Sequence, residues 1–238
     1  VNNEKKQFYI RVRANIESSK LTLDQLKNEV TILNNKLNGN FNFYNPNEKI
    51  TVAILGTKES EHIYDLLIKN KTGILNCNIP LLISNHVENE DIVKQFNIKF
   101  FKLNSNDNLL SILKENKIEL IILARYMQII PNKIVELYKN RIINIHHGFL
   151  PAFKGSNPYR QAYHKGVKLI GATAHYVTNE LDEGPIICQD VVNINHKDSV
   201  IDMIKLGREI ERNVLYKAVQ AHLNHKIIVF DNKTIIFK

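Results

Sequence analysis

The sequence predicts an α/β protein: a doubly wound, mostly parallel sheet preceded by a small partial α+β unit. Three observations predict it. Short apolar runs (ITVAILG, IPLLISN, KFFKL, IELIILA) alternate with polar stretches of helical length, the pattern of strands joined by right-handed helical crossovers. The run Ile50 to Gly56 is continuously apolar rather than alternating, as a strand buried on both faces requires. The composition also changes at Asn45-Pro46-Asn47, a turn-forming linker between residues 1–45 and residues 49–238.

In residues 1–45, FYIRVRANI from Phe8 alternates with period two and reads as a strand. A helix begins at Thr22, where Gln25 completes a capping box and Leu21 can staple. Leu23, Leu26, Val30, Leu33 and Leu37 form one apolar stripe, Gly39 is placed to end the helix, and Phe41 and Phe43 alternate in a short strand. A β-α-β piece of this size buries too little to stand alone, so it needs a partner: upstream residues, the main domain or another subunit.

Beyond the linker, Ile50 to Gly56 is followed by a helix over His62 to Lys69 and a strand from Ile79. A polar helical stretch around Asp91 to Phe96 leads to KFFKL from Lys99, a helix around Leu109 to Lys114, and a strand from Ile118 to Ala124. RIINI from Arg141 is a further short strand. LIGATAHYV from Leu169 and PIICQDVVNI from Pro185 have no helical segment between them, which predicts an antiparallel extension. A long helix spans about Ser199 to His222, and IIVFDNKTIIF closes as a hairpin turning at Asp231-Asn232.

Composition narrows the class. The chain has 238 residues, 44% hydrophobic and 24% charged, as in an ordinary globular protein. No apolar run approaches the roughly 20 residues of a membrane span. Cys77 and Cys188 lie in no motif, so neither a disulfide framework nor a Cys-based metal site is expected. The net charge of +8 suits either an anionic small substrate or plain compositional drift, Lys being abundant all along the chain; without a dense basic block carrying aromatics, nucleic acid is not an expected partner. The first residues carry no targeting pattern, which puts the chain in the cytoplasm by default, or in an organelle after removal of a presequence. It begins with Val1 rather than Met, so an upstream piece is expected to have been removed.

The densest polar constellation is RIINIHHGFLPAFKGSNPYRQAY. In a strand, Asn144 and His146 share a face and Ile143, Ile145 and His147 take the other. They lie at a strand's carboxyl end, where open α/β sheets bind ligands. An amide donor beside an imidazole suits acyl chemistry: the amide holds a carbonyl oxygen as charge develops, and the imidazole moves a proton near neutral pH. Taken alone, the pair fits equally a turn-capping amide and a satisfied buried histidine. The second constellation, GATAHYVTNELDEGP, holds His175 and Asp182. Asp182 can position a water and shuttle its proton, or simply form an Asx-turn before Gly184. His146, His147 and His175 show no recurring ligand spacing, so no metal is expected. There is no Gly-x-Ser-x-Gly elbow and no Gly-x-Gly-x-x-Gly after the first strand, where the turn reads LGTKESEH. There Lys58, Ser60 and His62 suit either an anion site or an ordinary polar cap.

The stretch LARYMQIIPNKIVELYKNRIINIHHGFLPAFKGSNPYRQAYHKGVKLIGATAHYVTNELDEGPIICQDV resembles the formyltetrahydrofolate deformylase family, within the formyltransferase fold superfamily. The resemblance runs from about Lys49 to the C-terminus and implies a Rossmann-like formyltransferase fold. Asn-x-His with the distant Asp of L-D-E-G is the superfamily's catalytic signature and falls on Asn144, His146 and Asp182. LARYMQI and HHxFLPAFKGxNPY point to the deformylase branch. The implied activity is hydrolysis of 10-formyltetrahydrofolate, the substrate, with no cofactor and no metal. The implied folate-binding residues are Arg125, Met127, Gln128, Ile129 and Ile130, with His175, Val177 and Thr178. Asn144 and His146 would bind the formyl oxygen, and Asp182 would position water and relay its proton. The resemblance also implies a homo-oligomer, and residues 1–45 resemble the second half of an ACT regulatory module. Gly148 departs from the family pattern, which has serine after the second histidine. The alternatives are a formyltransferase with the same donor, acting on glycinamide ribonucleotide or initiator tRNA, and a folate-binding regulator without turnover. The transferases are disfavoured by LGTKESEH, which lacks a glycine-rich phosphate loop, and by the lack of an RNA-binding domain after the last long helix.

Overall fold

The computed structural model describes residues 7–15, 21–153, 155 and 157–238. The chain divides into two units between Glu48 and Lys49.

Among the described residues of the first unit one helix forms, α1 (Leu23–Leu37). Its capping box is as expected: Gln25 N–H donates to Thr22 Oγ1 at 3.2 Å and Thr22 N–H to Gln25 Oε1 at 2.8 Å. The left-handed residue that ends it is Asn38, with φ 50, rather than Gly39; Asn is the side chain that most readily takes glycine's place there. The expected strands do not form. Residues 8–15 and 41–43 carry no regular strand, and Ile16, the end of the first expected strand, lies outside the described residues. Phe8, Ile10 and Val12 stay exposed. Alternation alone predicts a strand only where a neighbouring strand and an apolar surface reward it.

The second unit is built on a seven-stranded sheet of order β3-β2-β1-β4-β5-β6-β7. The strands are β1 (Thr51–Gly56), β2 (Asn78–Ser84), β3 (Lys99–Lys102), β4 (Leu120–Ala124), β5 (Ile142–His146), β6 (Leu169–Tyr176) and β7 (Ile186–Asn193). β1 to β5 pair in parallel, and β6 and β7 add antiparallel, as expected. The helices are α2 (Glu61–Lys71), α3 (Glu90–Gln95), α4 (Leu109–Glu115), α5 (Asn132–Leu137), α6 (Pro158–Lys165) and α7 (Val200–Leu223). A hairpin of β8 (Ile227–Phe230) and β9 (Lys233–Ile236) follows, turning at Asp231-Asn232.

Two apolar layers hold the sheet. Val52, Ile54, Ile143 and Ile145 pack with Ile63, Leu66 and Leu67 of α2 and Val214, Leu215 and Ala218 of α7. On the other face Ala53, Leu55 and Ile121 pack with Leu109 and Leu113 of α4 and Ile134 and Val135 of α5. The strand order reverses between β1 and β4, the switch point at which a doubly wound sheet opens its crevice. Helices α5 and α6 were not expected from the sequence. Only the punctuation of α6, Pro158 at its first turn and Gly166 at its end, marks it in the sequence. Among the described residues no helix is long and apolar enough to cross a membrane.

Candidate active site

β5 delivers the first two side chains. It lies between β4 and β6, with Leu123 opposite Asn144 and Thr173 opposite His146. Ile142, Asn144 and His146 share a face by the period of two; Ile142 is sunk in the core on that side, and the two polar residues continue toward the carboxyl end. β6 adds His175, opposite Asn144 in the antiparallel register.

The chain leaves β6 through Val177, whose N–H donates to Ile142 O at 2.9 Å, and turns back to β7. Asp182 sits in this turn at φ 56, a left-handed conformation that Asp tolerates better than most side chains. Gly184 seats the turn on β6, because a Cβ there would lie 1.7 Å from Tyr176 O.

The residues converge. Asp182 Oδ2 is 3.2 Å from His146 Nδ1, and Oδ1 is 3.7 Å from His175 Nε2, with all three side chains buried. Asn144 Nδ2 lies 3.2 Å from His175 Nε2. His146 Nε2 is 3.1 Å from Phe153 O, so both ring nitrogens of His146 face oxygen acceptors. Burial alone would raise the Asp182 carboxyl, but hydrogen bonds from His146 and His175, and their charge, hold it well below the usual carboxylate range. An anion is therefore fixed beside an amide donor and two imidazoles. His147 faces away, with its ring 5.9 Å from that of Tyr159, and burial followed by the Arg125 charge pushes it down to about 4. Among the described residues no group of three or more His, Cys, Asp or Glu is disposed to hold a metal.

The expected folate-binding segment follows β4. Arg125 adopts φ 59 and turns its guanidinium inward to Glu59 and Glu211. Met127 and Ile129 are exposed, Gln128 is half-buried, and the Ile130 side chain is in the core. On the facing loop, Thr178 Oγ1 donates to Glu180 O at 3.1 Å. Of Lys58, Ser60 and His62, Ser60 makes no side-chain cap and His62 is buried against Glu211, so the expected polar cap does not form.

Three supports were not read from the sequence. Thr173 Oγ1 accepts from Leu150 N–H at 3.0 Å and from Gln189 Nε2 at 2.9 Å, and donates to Gly148 O at 2.9 Å, fixing the loop after His146. Asn106 accepts from Tyr126 OH at 2.7 Å and donates to Ile129 O at 2.8 Å, fixing the segment after β4. Glu211 is buried within the apolar stripe of α7; an acidic residue on that stripe was the one legible signal of the three.

A doubly wound sheet extended by an antiparallel pair, with an amide, two imidazoles and a carboxylate meeting beyond β5, defines the class: the Formyl transferase family matches residues 49–219. The likeness sharpens within it. The chain is 42% identical over 238 residues to a formyltetrahydrofolate deformylase of Synechocystis sp., covering 97% of this chain and 84% of that protein. It is 47% identical over 194 residues to one of Bacillus subtilis, covering 78% of this chain and 65% of that protein. The crystal structure of a formyltetrahydrofolate deformylase from Pseudomonas syringae superposes with TM-score 0.88 at 36% identity, covering 92% of this chain and 76% of that one. The chain belongs to the formyltetrahydrofolate deformylase family.

Proposed function

We propose that this chain hydrolyses 10-formyltetrahydrofolate to formate and tetrahydrofolate, using neither metal nor further cofactor. The observation that carries the reading is the buried Asp182 carboxylate, held 3.2 Å from His146 Nδ1 beside the Asn144 amide. The formyl oxygen takes hydrogen bonds from Asn144 Nδ2 and from His146 Nε2–H, which exchanges its Phe153 carbonyl partner for the substrate. Asp182 accepts a hydrogen bond from a water and aims it at the formyl carbon. As the C–O bond forms, negative charge moves onto the formyl oxygen, where aligned donors lower the barrier most. Asp182 is a weak base, so the water's proton leaves as attack proceeds rather than before it. The tetrahedral intermediate collapses with cleavage of the C–N10 bond, and the proton relayed by Asp182 ends on N10. Formate and tetrahydrofolate result, with atoms balanced by one water.

The pterin lies against Arg125, Met127, Gln128, Ile129 and Ile130 on one side and His175, Val177 and Thr178 on the other. Residues 1–45 are a partial ACT-like module, the protein is a cytoplasmic homo-oligomer, and its partner is the small-molecule folate alone. The decisive variant is Asp182→Asn. It keeps the shape of the carboxylate and removes its charge, so formate release should fall by roughly 10²–10⁴ while folate binding, followed by fluorescence titration, changes little. Turnover near the wild-type rate would remove Asp182 from the mechanism.

A further inference from the structure

Glu211 presents an unusual problem. It lies in the middle of α7 with its side chain wholly buried, yet it belongs to the α7 face of the sheet, opposite to that of Asn144 and His146. A buried carboxylate is tolerated only when paired and hydrogen-bonded, and apolar replacements of such groups often stabilise a fold. Its partners come from three other elements: His62 Nε2 of α2 at 3.2 Å, Arg125 Nη1 after β4 at 3.3 Å, and Tyr159 OH of α6, which donates at 2.5 Å.

The Arg125 contact reaches the site. Arg125 is held at φ 59, a conformation that a non-glycine residue keeps only when its surroundings over-determine it. Its guanidinium donates from Nη1 to Glu211 Oε2, and its Nε lies 3.1 Å from Glu59 Oε2 as an ion pair without hydrogen-bond geometry. Glu59 is in turn held by Arg208 Nη2 at 3.2 Å, and Arg208 Nη1 lies 3.3 Å from Glu61. The segment that follows Arg125 exposes Met127 and Ile129 and is tied at its other end by Asn106 Nδ2 to Ile129 O at 2.8 Å. Fixed at both ends, the exposed stretch between has its shape set before any ligand arrives, which lowers the ordering cost of binding.

We infer that Glu211 is a positioning residue: through Arg125 it fixes the backbone of the Arg125–Ile130 segment in its folate-binding shape without touching the substrate. The inference rests on the folate reading above and extends it to a residue on the opposite face of the sheet. Arg125 accordingly acts through its backbone, and its charge is spent inside the protein.

Steady-state formate release by Glu211→Gln, Glu59→Gln and Tyr159→Phe, with the melting temperature of each, tests it. Glu211→Gln keeps the shape and loses the ion pair, so KM should rise at least fivefold while kcat stays within twofold. Glu59→Gln, which removes Arg125's second carboxylate, should raise KM less. Tyr159→Phe leaves the Arg125 pair intact and should lower the melting temperature without moving KM. A folded Glu211→Gln protein with unchanged KM overturns the inference, as does a Tyr159→Phe protein whose KM rises equally. If Glu211→Gln does not fold, Glu59→Gln decides alone: raised KM supports the inference and unchanged KM overturns it. Absence of formate release by the wild type would instead remove the folate reading itself.

Discussion

His146 can reach the Phe153 carbonyl because residue 148 has no side chain. A Cβ at Gly148 would lie 2.9 Å from His146 Nε2 and 3.2 Å from Phe153 O, inside ordinary contact distance of both partners of one hydrogen bond. The imidazole cannot simply swing away, since Asp182 holds its other nitrogen. Gly148→Ala adds the Cβ that the family pattern carries as serine, so the protein should stay folded and kcat should fall, by no more than roughly tenfold, as the ring shifts. An unchanged kcat would mean that the observed position of His146 is not its working position. Residue identity alone suggested less than this. Asn144 and His146 could be placed on one strand face by their spacing, but the proximity of Asp182 could not, because a strand and a turn of unpredictable length intervene. That link came from the family signature, and the structure supplies its physical form in the β5–β6 register, where His175 Nε2 lies 3.2 Å from the Asn144 amide and 3.7 Å from the Asp182 carboxylate.

Elements were legible in proportion to the length of their patterns. β1, β2 and β4 are continuous apolar runs, and they appeared where the sequence put them. α5 and α6 showed little beyond the punctuation of α6, and among the described residues the alternation at 8–15 and 41–43 formed no regular strand. One element contact carries a pH dependence. α7 returns His222 to β6, where its Nδ1 lies 2.7 Å from Tyr176 OH. Burial, and then the charges of His225 and Arg141, push His222 down from 6.5 to about 4. The folded state thus keeps this ring neutral where the unfolded chain protonates it. The stability contributed by the neutral ring is present above pH 6.5 and is lost as pH falls toward about 4; a group of this kind costs up to about 1.4 kcal/mol per pH unit. His147 has the same sign and adds to the slope. Asp182 works in the opposite regime: its depressed carboxyl stays ionised throughout that window and loses its contribution only at much lower pH. Urea unfolding midpoints should fall between pH 7 and pH 5, and His222→Gln should flatten the dependence. A wild-type midpoint that did not change would mean that His222 is already charged in the fold.

At the scale of the molecule, the topology gathers the site. Strand order reverses between β1 and β4, β5 lies immediately beyond, and the antiparallel pair β6–β7 folds the Asp182 turn back over the carboxyl end of β5. Alternation of strand and helix predicted the parallel half of this arrangement, and the missing helix between the last two long strands predicted the antiparallel half. The buried supports escaped because their partners are distant in sequence; only Glu211, an acidic residue on the apolar stripe of α7, left a local sign. Hydrolysis requires that water, rather than an amine, attack the formyl carbon of a bound folate. The direct measurement is turnover of 10-formyltetrahydrofolate in oxygen-18 water, without amine acceptor, with formate analysed by mass spectrometry under limited turnover. Formate carrying one solvent oxygen, formed by the wild type and not by Asp182→Asn, is the predicted result. No formate in the absence of acceptor, with formyl transfer appearing once glycinamide ribonucleotide or initiator tRNA is added, would contradict it.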